Sequence, residues 1–324
     1  MTTCRIGFVG AGGVATRHAR VLSGFDDVDV VAVTDPVPER GDQFASAFGA
    51  RSVRELDELL SQELHAVYVC VPPLAHGSVE EAVLAAGLAM FVEKPLAVDV
   101  TTAERIATAV AEAGVVTAVG HHWRYAATVE RAREHIEDHT VHLMVGSWLD
   151  KVPPVPWWVD RAQSGGQVVE QAVHVLDLAR LLVGEVTEVH ALSAGVPDAP
   201  GASVDAATGA VLRFDSGAVG TLAATCLLRG KHRAALELYA DGLALEIGEN
   251  ELRVSTGADE PQRWSVDPDE AKRAVDRAFV DAVNNSGADT VRASYEDALR
   301  THRLACALAR SAQSGRPESV GQEQ

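Results

Sequence analysis

Apolar positions in the first third of the chain fall into short runs, at residues 6–9, 28–33, 66–71, 89–92 and 115–119. Runs of that length with little polar interruption are the pattern of strands buried on both faces. Between them, residues 14–22, 40–48, 78–86 and 101–113 carry apolar side chains at helical spacing. Gly49, Gly87 and Gly114 follow three of these stretches, as helix C-termini favour, and Pro72-Pro73 stops the third strand-like run. Strand and helix in alternation predict a parallel, doubly wound sheet with right-handed crossovers. The pattern changes after His122. Residues 141–149, 186–193, 206–214, 218–228, 233–239, 243–247 and 252–255 read as strands. Several are joined by the turn signals Asp215-Ser216-Gly217, Asp241-Gly242 and Gly248-Glu249-Asn250. This predicts an open, mainly antiparallel sheet with helices on one face, those helices lying at about 167–183, 269–283 and 295–311. The expected organisation is an α/β domain over 1–122 and an α+β domain over 123–324. The last helix is expected to pack back on the first domain. Residues 195–203 read as a flexible loop and the polar tail 315–324 as frayed.

The run 218–228 departs from simple alternation. One side carries Ala218, Gly220, Leu222, Ala224, Cys226 and Leu228, and the other Val219, Thr221, Ala223, Thr225 and Leu227. Both sides are apolar or small, so both faces are expected to be covered, one by helices and the other by a second copy. A homodimer or homotetramer through the C-terminal sheet follows; coverage by the chain's own loops is the alternative.

Composition narrows the partners. The chain has 324 residues, 47% apolar and 23% charged, which suits two globular domains. With 28 basic against 46 acidic residues the net charge is −18. Such a surface disfavours nucleic acid and anionic membranes as partners, while a helix N-terminus still accepts a small anion locally. The longest apolar run, 82–92, is too short to cross a bilayer. Cys4, Cys70, Cys226 and Cys306 lie far apart, so neither a zinc knuckle nor a CxxC pair can be drawn. The N-terminus enters a strand-like run with no cationic region and no cleavage signal, and the expectation is a cytoplasmic protein with reduced thiols.

Four places carry chemistry. Gly10-Ala11-Gly12-Gly13-Val14-Ala15 fits G-x-G-x-x-A, follows a strand and opens a helix. There Gly10 permits the tight turn, Gly12 lets backbone approach a pyrophosphate, and Ala15 lets helix and strand pack closely. Asp35 ends the second strand 25 residues after Gly10, where a carboxylate accepts from an adenosine 2′-OH and repels a 2′-phosphate. NAD is therefore preferred, with NADP admitted; the same Asp35 can also open a turn before Pro36. Glu93-Lys94-Pro95 follows a strand end, where ligands of doubly wound sheets bind, and Lys94 can hold a substrate oxygen there or be a plain strand-end lysine. Pro95 restricts Lys94 to extended backbone and admits a cis bond. Finally, Glu170, His174 and Asp177 share one stripe of a helix that is otherwise nearly all apolar. The stripe is either a solvent face or a general base flanked by carboxylates. A metal site from Glu170, His174 and His121 or His122 has no fixed ligand spacing behind it, so no metal is expected. No nucleophile elbow or activated-cysteine context is present.

The order of these motifs resembles the glucose–fructose oxidoreductase/inositol dehydrogenase family (Gfo/Idh/MocA). The resemblance runs from the glycine turn through Asp35, Val71-Pro72-Pro73-Leu74-Ala75-His76, Glu93-Lys94-Pro95 and Gly165-Gly166 to the His-x-x-Asp helix. It extends to Ser294-Tyr295-Glu296-Asp297-Ala298-Leu299 and the ending Ser314-Gly315-Arg316-Pro317. The resemblance implies an N-terminal Rossmann domain, an open sheet domain, and hydride transfer between a nicotinamide cofactor and a sugar, cyclitol or related polyol. It implies Lys94 and His174 as catalytic residues. Around the substrate it places Glu170, Asp177, Trp123, Arg124 and Trp158. Cofactor contacts are implied at Gly10, Gly12, Gly13, Val14, Asp35, Val71, Pro72, His76, Glu93, Lys94 and Arg124. Two departures stand out: Glu170 occupies a position where the family commonly has Asp, and His122 and Trp123 stand where an asparagine usually precedes Arg124. Trp157 and Trp158 either wall the substrate site or pack their Pro-rich loop. Rival readings are a non-catalytic dinucleotide-sensing regulator on the same fold and a reductase of a non-sugar carbonyl or diol.

Overall fold

The first sheet is wholly parallel in a computed structural model, which describes residues 3–257, 260–285 and 290–321. Its strands are β1 (Cys4–Val9), β2 (Val28–Thr34), β3 (Arg51–Val53), β4 (Ala66–Val69), β5 (Ala89–Val92) and β6 (Thr117–Val119). Their order is β3-β2-β1-β4-β5-β6. Chain order reverses between β1 and β4, and the carboxyl ends beside such a switch point are where ligands of this architecture bind. Every residue of β4 and β6 is buried, as the continuous apolar runs require. The 3-residue strand β3 and the helix Leu56–Leu60 were not expected; each is too short to show a period.

The second sheet contains β7 (Val141–Leu149), β8 (Val186–Ala194), β9 (Ala207–Phe214), β10 (Val219–Thr225), β11 (Arg233–Ala240), β12 (Leu243–Gly248), β13 (Glu251–Ser255), β14 (Gln262–Ser265) and β15 (Glu318–Ser319). Its order is β14-β13-β12-β11-β7-β10-β9-β8-β15, antiparallel throughout except for the β7–β10 pair. The tail is therefore not wholly frayed: Glu318 and Ser319 pair with Val189 and Glu188 of β8. Residues 322–324 of the expected tail lie outside the described residues.

One face of this sheet is sealed. Val129, Ala132 and Ile136 of the helix Ala127–Ile136, the helix Val173–Val183, and Leu304 and Leu308 of the helix Tyr295–Ser314 share its apolar core. The other face is open among the described residues. In β10 the two sides separate cleanly: Gly220, Leu222 and Ala224 are buried, while Val219, Thr221 and Ala223 are exposed. The expectation that both faces are covered thus holds for only one face in a single chain. Apolar composition on both sides of a strand does not say what covers the second.

The chain forms two compact units, 1–97 with 101–122 and 272–299, and 98–100 with 123–271 and 300–324. A single cut after residue 122 would put 272–299 in the second unit; that segment belongs to the first. Tyr295, Ala298 and Leu299 join the core beneath the parallel sheet, whereas Leu304 and Leu308 belong to the other unit's core. The helix expected at 167–183 is also not uniform: residues Val168–Ala172 form a π-turn before the α-helix Val173–Val183 begins. Single π-turns of this kind frequently mark functional sites. No helix among the described residues is long and apolar enough to cross a membrane.

Candidate active site

In the first unit the candidate residues follow strand ends. After β1, Gly10 has φ +93° and donates its N–H to Thr34 O at 2.8 Å. A Cβ on Gly10 would sit 2.3 Å from Cys70 O, so no other residue fits this turn. Gly12 caps the helix Gly13–Leu22 with extended backbone and no side-chain cap, and a Cβ on Gly12 or Gly13 would meet nothing within 4 Å. The first-turn N–H groups thus open onto space, a donor set that fits a pyrophosphate. After β2, Asp35 is buried, with Oδ2 accepting from Ala11 N–H and Oδ1 from Val37 N–H, both at 2.8 Å. The Asp35 turn before Pro36 is real, and it also ties the acid to the glycine loop.

After β4, Val71 and Pro72 lead into the 3₁₀ turn Pro73–Ala75 and then His76. The buried His76 bonds through Nδ1 to Glu80, which also accepts from Gly77 N–H at 2.6 Å. Burial works against the Glu80 charge, but His76 and the Gly77 N–H outweigh it and hold its pKa below the ordinary value. After β5 come Glu93, Lys94 and a cis peptide to Pro95. Lys94 is half-buried and donates its backbone N–H to Glu93 Oε2 at 3.1 Å. Glu93 Oε1 bonds to His18 Nε2 at 2.8 Å and accepts from Arg17 Nη2 at 3.2 Å. Burial alone would raise the Glu93 pKa, yet the bond and charge of His18, with Arg17 and Lys94 behind them, bring it down to about 2. For His18, burial pulls the pKa down, but Asp276 and Glu93 prevail and lift it to about 9. His122 is driven the other way, to about 3, by burial and by the Arg17 charge.

In the second unit the candidates surround the start of the helix Val173–Val183. His174, 6% exposed, packs against two indoles that also face each other: its ring centroid is 5.8 Å from Trp123 and 5.7 Å from Trp148, with interplanar angles of 13° and 25°, and the two indole centroids are 6.0 Å apart. Arg124 Nε and Nη2 donate to the two oxygens of Asp177, each at 2.7 Å, and Thr301 Oγ1 donates to the same carboxylate at 2.8 Å. This buried bidentate pair fixes the helix one turn beyond His174. Trp158 Nε1 donates to Glu170 Oε2 at 2.7 Å. Trp158 itself is fully buried among Val159, Val204 and Cys226, with Trp157 packed against them. Of the two readings left open for that pair, loop packing describes Trp158, which reaches the site through Glu170.

The stripe Glu170, His174, Asp177 is thus not a solvent face: His174 and Asp177 are buried. Sequence reading did not single out His18, Asp276, Arg17, Trp148 or Thr301. A signal existed for His18, which occupies an apolar-stripe position with Ala15, Ala19 and Leu22, and for Trp148, which falls on the inward side of β7 with Met144. Nothing local marks Thr301.

Comparisons with known proteins agree on both units. Residues 4–121 match the family described as oxidoreductase, NAD-binding Rossmann fold, and residues 129–246 match the GFO/IDH/MocA C-terminal domain. An inositol 2-dehydrogenase of Rhizobium meliloti is 30% identical over 188 residues, which span 56% of this chain and 56% of that enzyme, little more than half its length. A D-apiose dehydrogenase of Paraburkholderia graminis is 27% identical over 95% of this chain and 87% of its own. Among solved structures, GenD2 from gentamicin A biosynthesis, in complex with NAD, superposes with a TM-score of 0.88 at 26% identity, covering 99% of this chain and 97% of that one. With glycine turn, strand-end acid and both domain matches in place, the chain belongs to the Gfo/Idh/MocA oxidoreductase family and carries that family's NAD-binding Rossmann fold.

Proposed function

We propose that the chain is an NAD-dependent dehydrogenase that interconverts a secondary alcohol and a ketone on a sugar, cyclitol or related small polyol. The observation that carries this reading is His174, a buried imidazole packed against both Trp123 and Trp148 in a member of an NAD-binding oxidoreductase family. The inositol and D-apiose dehydrogenases among its relatives support a polyhydroxylated substrate. When bound, NAD supplies the two-electron redox chemistry. The open helix N-terminus at Gly12, Gly13 and Val14 would hold its pyrophosphate and Asp35 its adenosine ribose. Val71, Pro72, His76, Glu93 and Arg124 would complete the cofactor contacts. Lys94 donates to the substrate oxygen and favours its developing negative charge. In oxidation an imidazole nitrogen of His174 takes the hydroxyl proton, and in reduction it returns that proton. Glu170, held by Trp158, and the Arg124–Asp177 pair keep the His174 helix in place. Incubation with NAD and a panel of myo-inositol, free pentoses and hexoses, and anhydrosugars, followed at 340 nm, is expected to reveal at least one oxidised substrate. Tight NADH binding without turnover of any panel member, in either direction, would replace this reading with a dinucleotide-sensing regulator.

The same reading includes self-association. The open face of the second sheet presents Leu192, Val211 and Val219 at 62%, 57% and 46% exposure. Monomers rarely leave so apolar a face in water, and a second copy packed face to face would make a homodimer or homotetramer. The free thiols of all four cysteines suit the reducing cytoplasm. Light scattering at micromolar concentration is expected to give a multiple of 34.3 kDa. Thr221→Glu, on the open face, should reduce it to a single-chain mass. A wild-type mass of one chain would refute the assembly.

A further inference from the structure

Glu93 lies at the centre of a set of charges gathered from three parts of the first unit. Its Oε2 accepts the Lys94 N–H, and its Oε1 meets His18 Nε2 at 2.8 Å and Arg17 Nη2 at 3.2 Å. The other nitrogen of His18, Nδ1, lies 2.6 Å from Asp276 Oδ1, an oxygen that also accepts from the Tyr68 hydroxyl at 3.2 Å. Both ring nitrogens of His18 therefore face carboxylates. An ionised carboxylate only accepts, so both nitrogens must donate and the ring is an imidazolium. Arg17, His18, Glu93 and Asp276 then balance as two positive and two negative charges. Phe91 and Tyr68 close on the imidazole at centroid distances of 5.0 and 5.3 Å. A Cβ on Gly120 would sit 2.7 Å from the Glu93 carboxyl. The carboxylate is thus fixed by hydrogen bonds on one side and by bare backbone on the other.

We propose that Glu93 is a positioning residue, whose carboxylate, clamped by His18 and Arg17 and seated on Gly120, fixes the Lys94 backbone from which the Lys94 ammonium reaches the substrate. This rests on the role given to Lys94 above. The clamp spans the chain: His18 stands on the first helix, Glu93 behind β5, and Asp276 on the helix Glu270–Asn284, itself part of the first unit from residue 272 on. A buried charge held on both oxygens moves little, and misplacement of a reacting group by about 1 Å can cost ~10²-fold in rate.

Two substitutions loosen the clamp in different ways. Glu93→Gln keeps the shape, but an amide accepts at one end and donates at the other, so one of the N–H donors now faces a donor. Gly120→Ala leaves every charge in place and pushes the carboxylate aside by sterics. With the best substrate of the panel above at saturating NAD, both variants are expected to lower kcat about tenfold to a hundredfold, with the substrate KM within about threefold of wild type. The double variant Lys94→Ala/Glu93→Gln should be no slower than Lys94→Ala alone, because Glu93 acts through Lys94. A merely structural Glu93 would give multiplied losses in the double variant, and that result would overturn the proposal. So would wild-type kcat in Glu93→Gln when Lys94→Ala has lost it. Wild-type kcat in Lys94→Ala would instead overturn the role of Lys94, and the positioning role with it. A readout that needs no substrate is acetylation of Lys94 by acetic anhydride in the NADH complex, followed by peptide mass spectrometry. Its rate should change several-fold in both Glu93→Gln and Gly120→Ala, and an unchanged rate in both contradicts the proposal.

Discussion

His174→Ala is expected to lower kcat by about 10²–10⁴-fold, and Lys94→Ala by a comparable factor, while the NADH dissociation constant stays near the wild-type value. For His174 the separation of the two effects follows from where the residue stands. The groups proposed to hold the dinucleotide, apart from Arg124, come from the first unit, whereas His174 is set in the second, on the helix Val173–Val183. His174 is also poor material for a structural role. An imidazole against two indoles packs no better than a leucine, and it buries polar nitrogens that must be satisfied. Its helix is anchored independently by the Asp177 carboxylate, which takes two bonds from Arg124 and one from Thr301. Removal of the imidazole should therefore lose turnover first and folding second. Rates measured at 340 nm, beside NADH fluorescence titrations, separate the two. If both alanine variants keep near-wild-type turnover, the roles assigned to His174 and Lys94 are wrong.

What could be read from the residues alone is what leaves a local trace. The glycine turn, Asp35 and the strand before Glu93 each combine a period with a punctuating residue, and β5 and β7 begin and end at the expected residues. The short and mostly polar strands β3 (Arg-Ser-Val) and β14 (Gln-Arg-Trp-Ser) left no apolar run to find. The π-turn at Val168–Ala172 was invisible for a different reason. Its residues are as helix-compatible as their neighbours, and the extra residue per turn is imposed by packing. The Glu93 clamp joins positions 75 and 258 residues apart in the chain. Each member looks ordinary alone: a histidine on an apolar stripe, an acid on an amphipathic helix. Membership of 272–299 in the first unit is likewise a choice between two cores that an apolar stripe cannot specify. The open face of β10 shows the same limit, since apolar residues on both sides of a strand do not distinguish a helix from a second subunit.

NAD is expected to bind more tightly than NADP, because of Asp35. Its two oxygens are oriented by the N–H groups of Ala11 and Val37, each at 2.8 Å, so the carboxylate cannot swing away from a ligand set in the glycine loop. Each oxygen keeps a lone pair for a ribose hydroxyl. A hydrogen bond to a charged acceptor is worth about 1.5–3 kcal/mol, which corresponds to roughly tenfold or more in affinity. A 2′-phosphate forfeits that bond and brings a like charge against a buried acid. The residues that follow, Pro36, Val37 and Pro38, carry no cation, and Arg40 is solvent-exposed. Asp35→Ser should keep part of the turn, because a hydroxyl can still accept from Val37 N–H, while the charge and the ribose acceptor are lost. The expected result is weaker NADH binding, little change or a gain for NADPH, and a preference that collapses toward parity. Fluorescence titration of both reduced dinucleotides into wild type and Asp35→Ser measures it directly. Equal or tighter NADPH binding by the wild type would show that Asp35 serves only the turn.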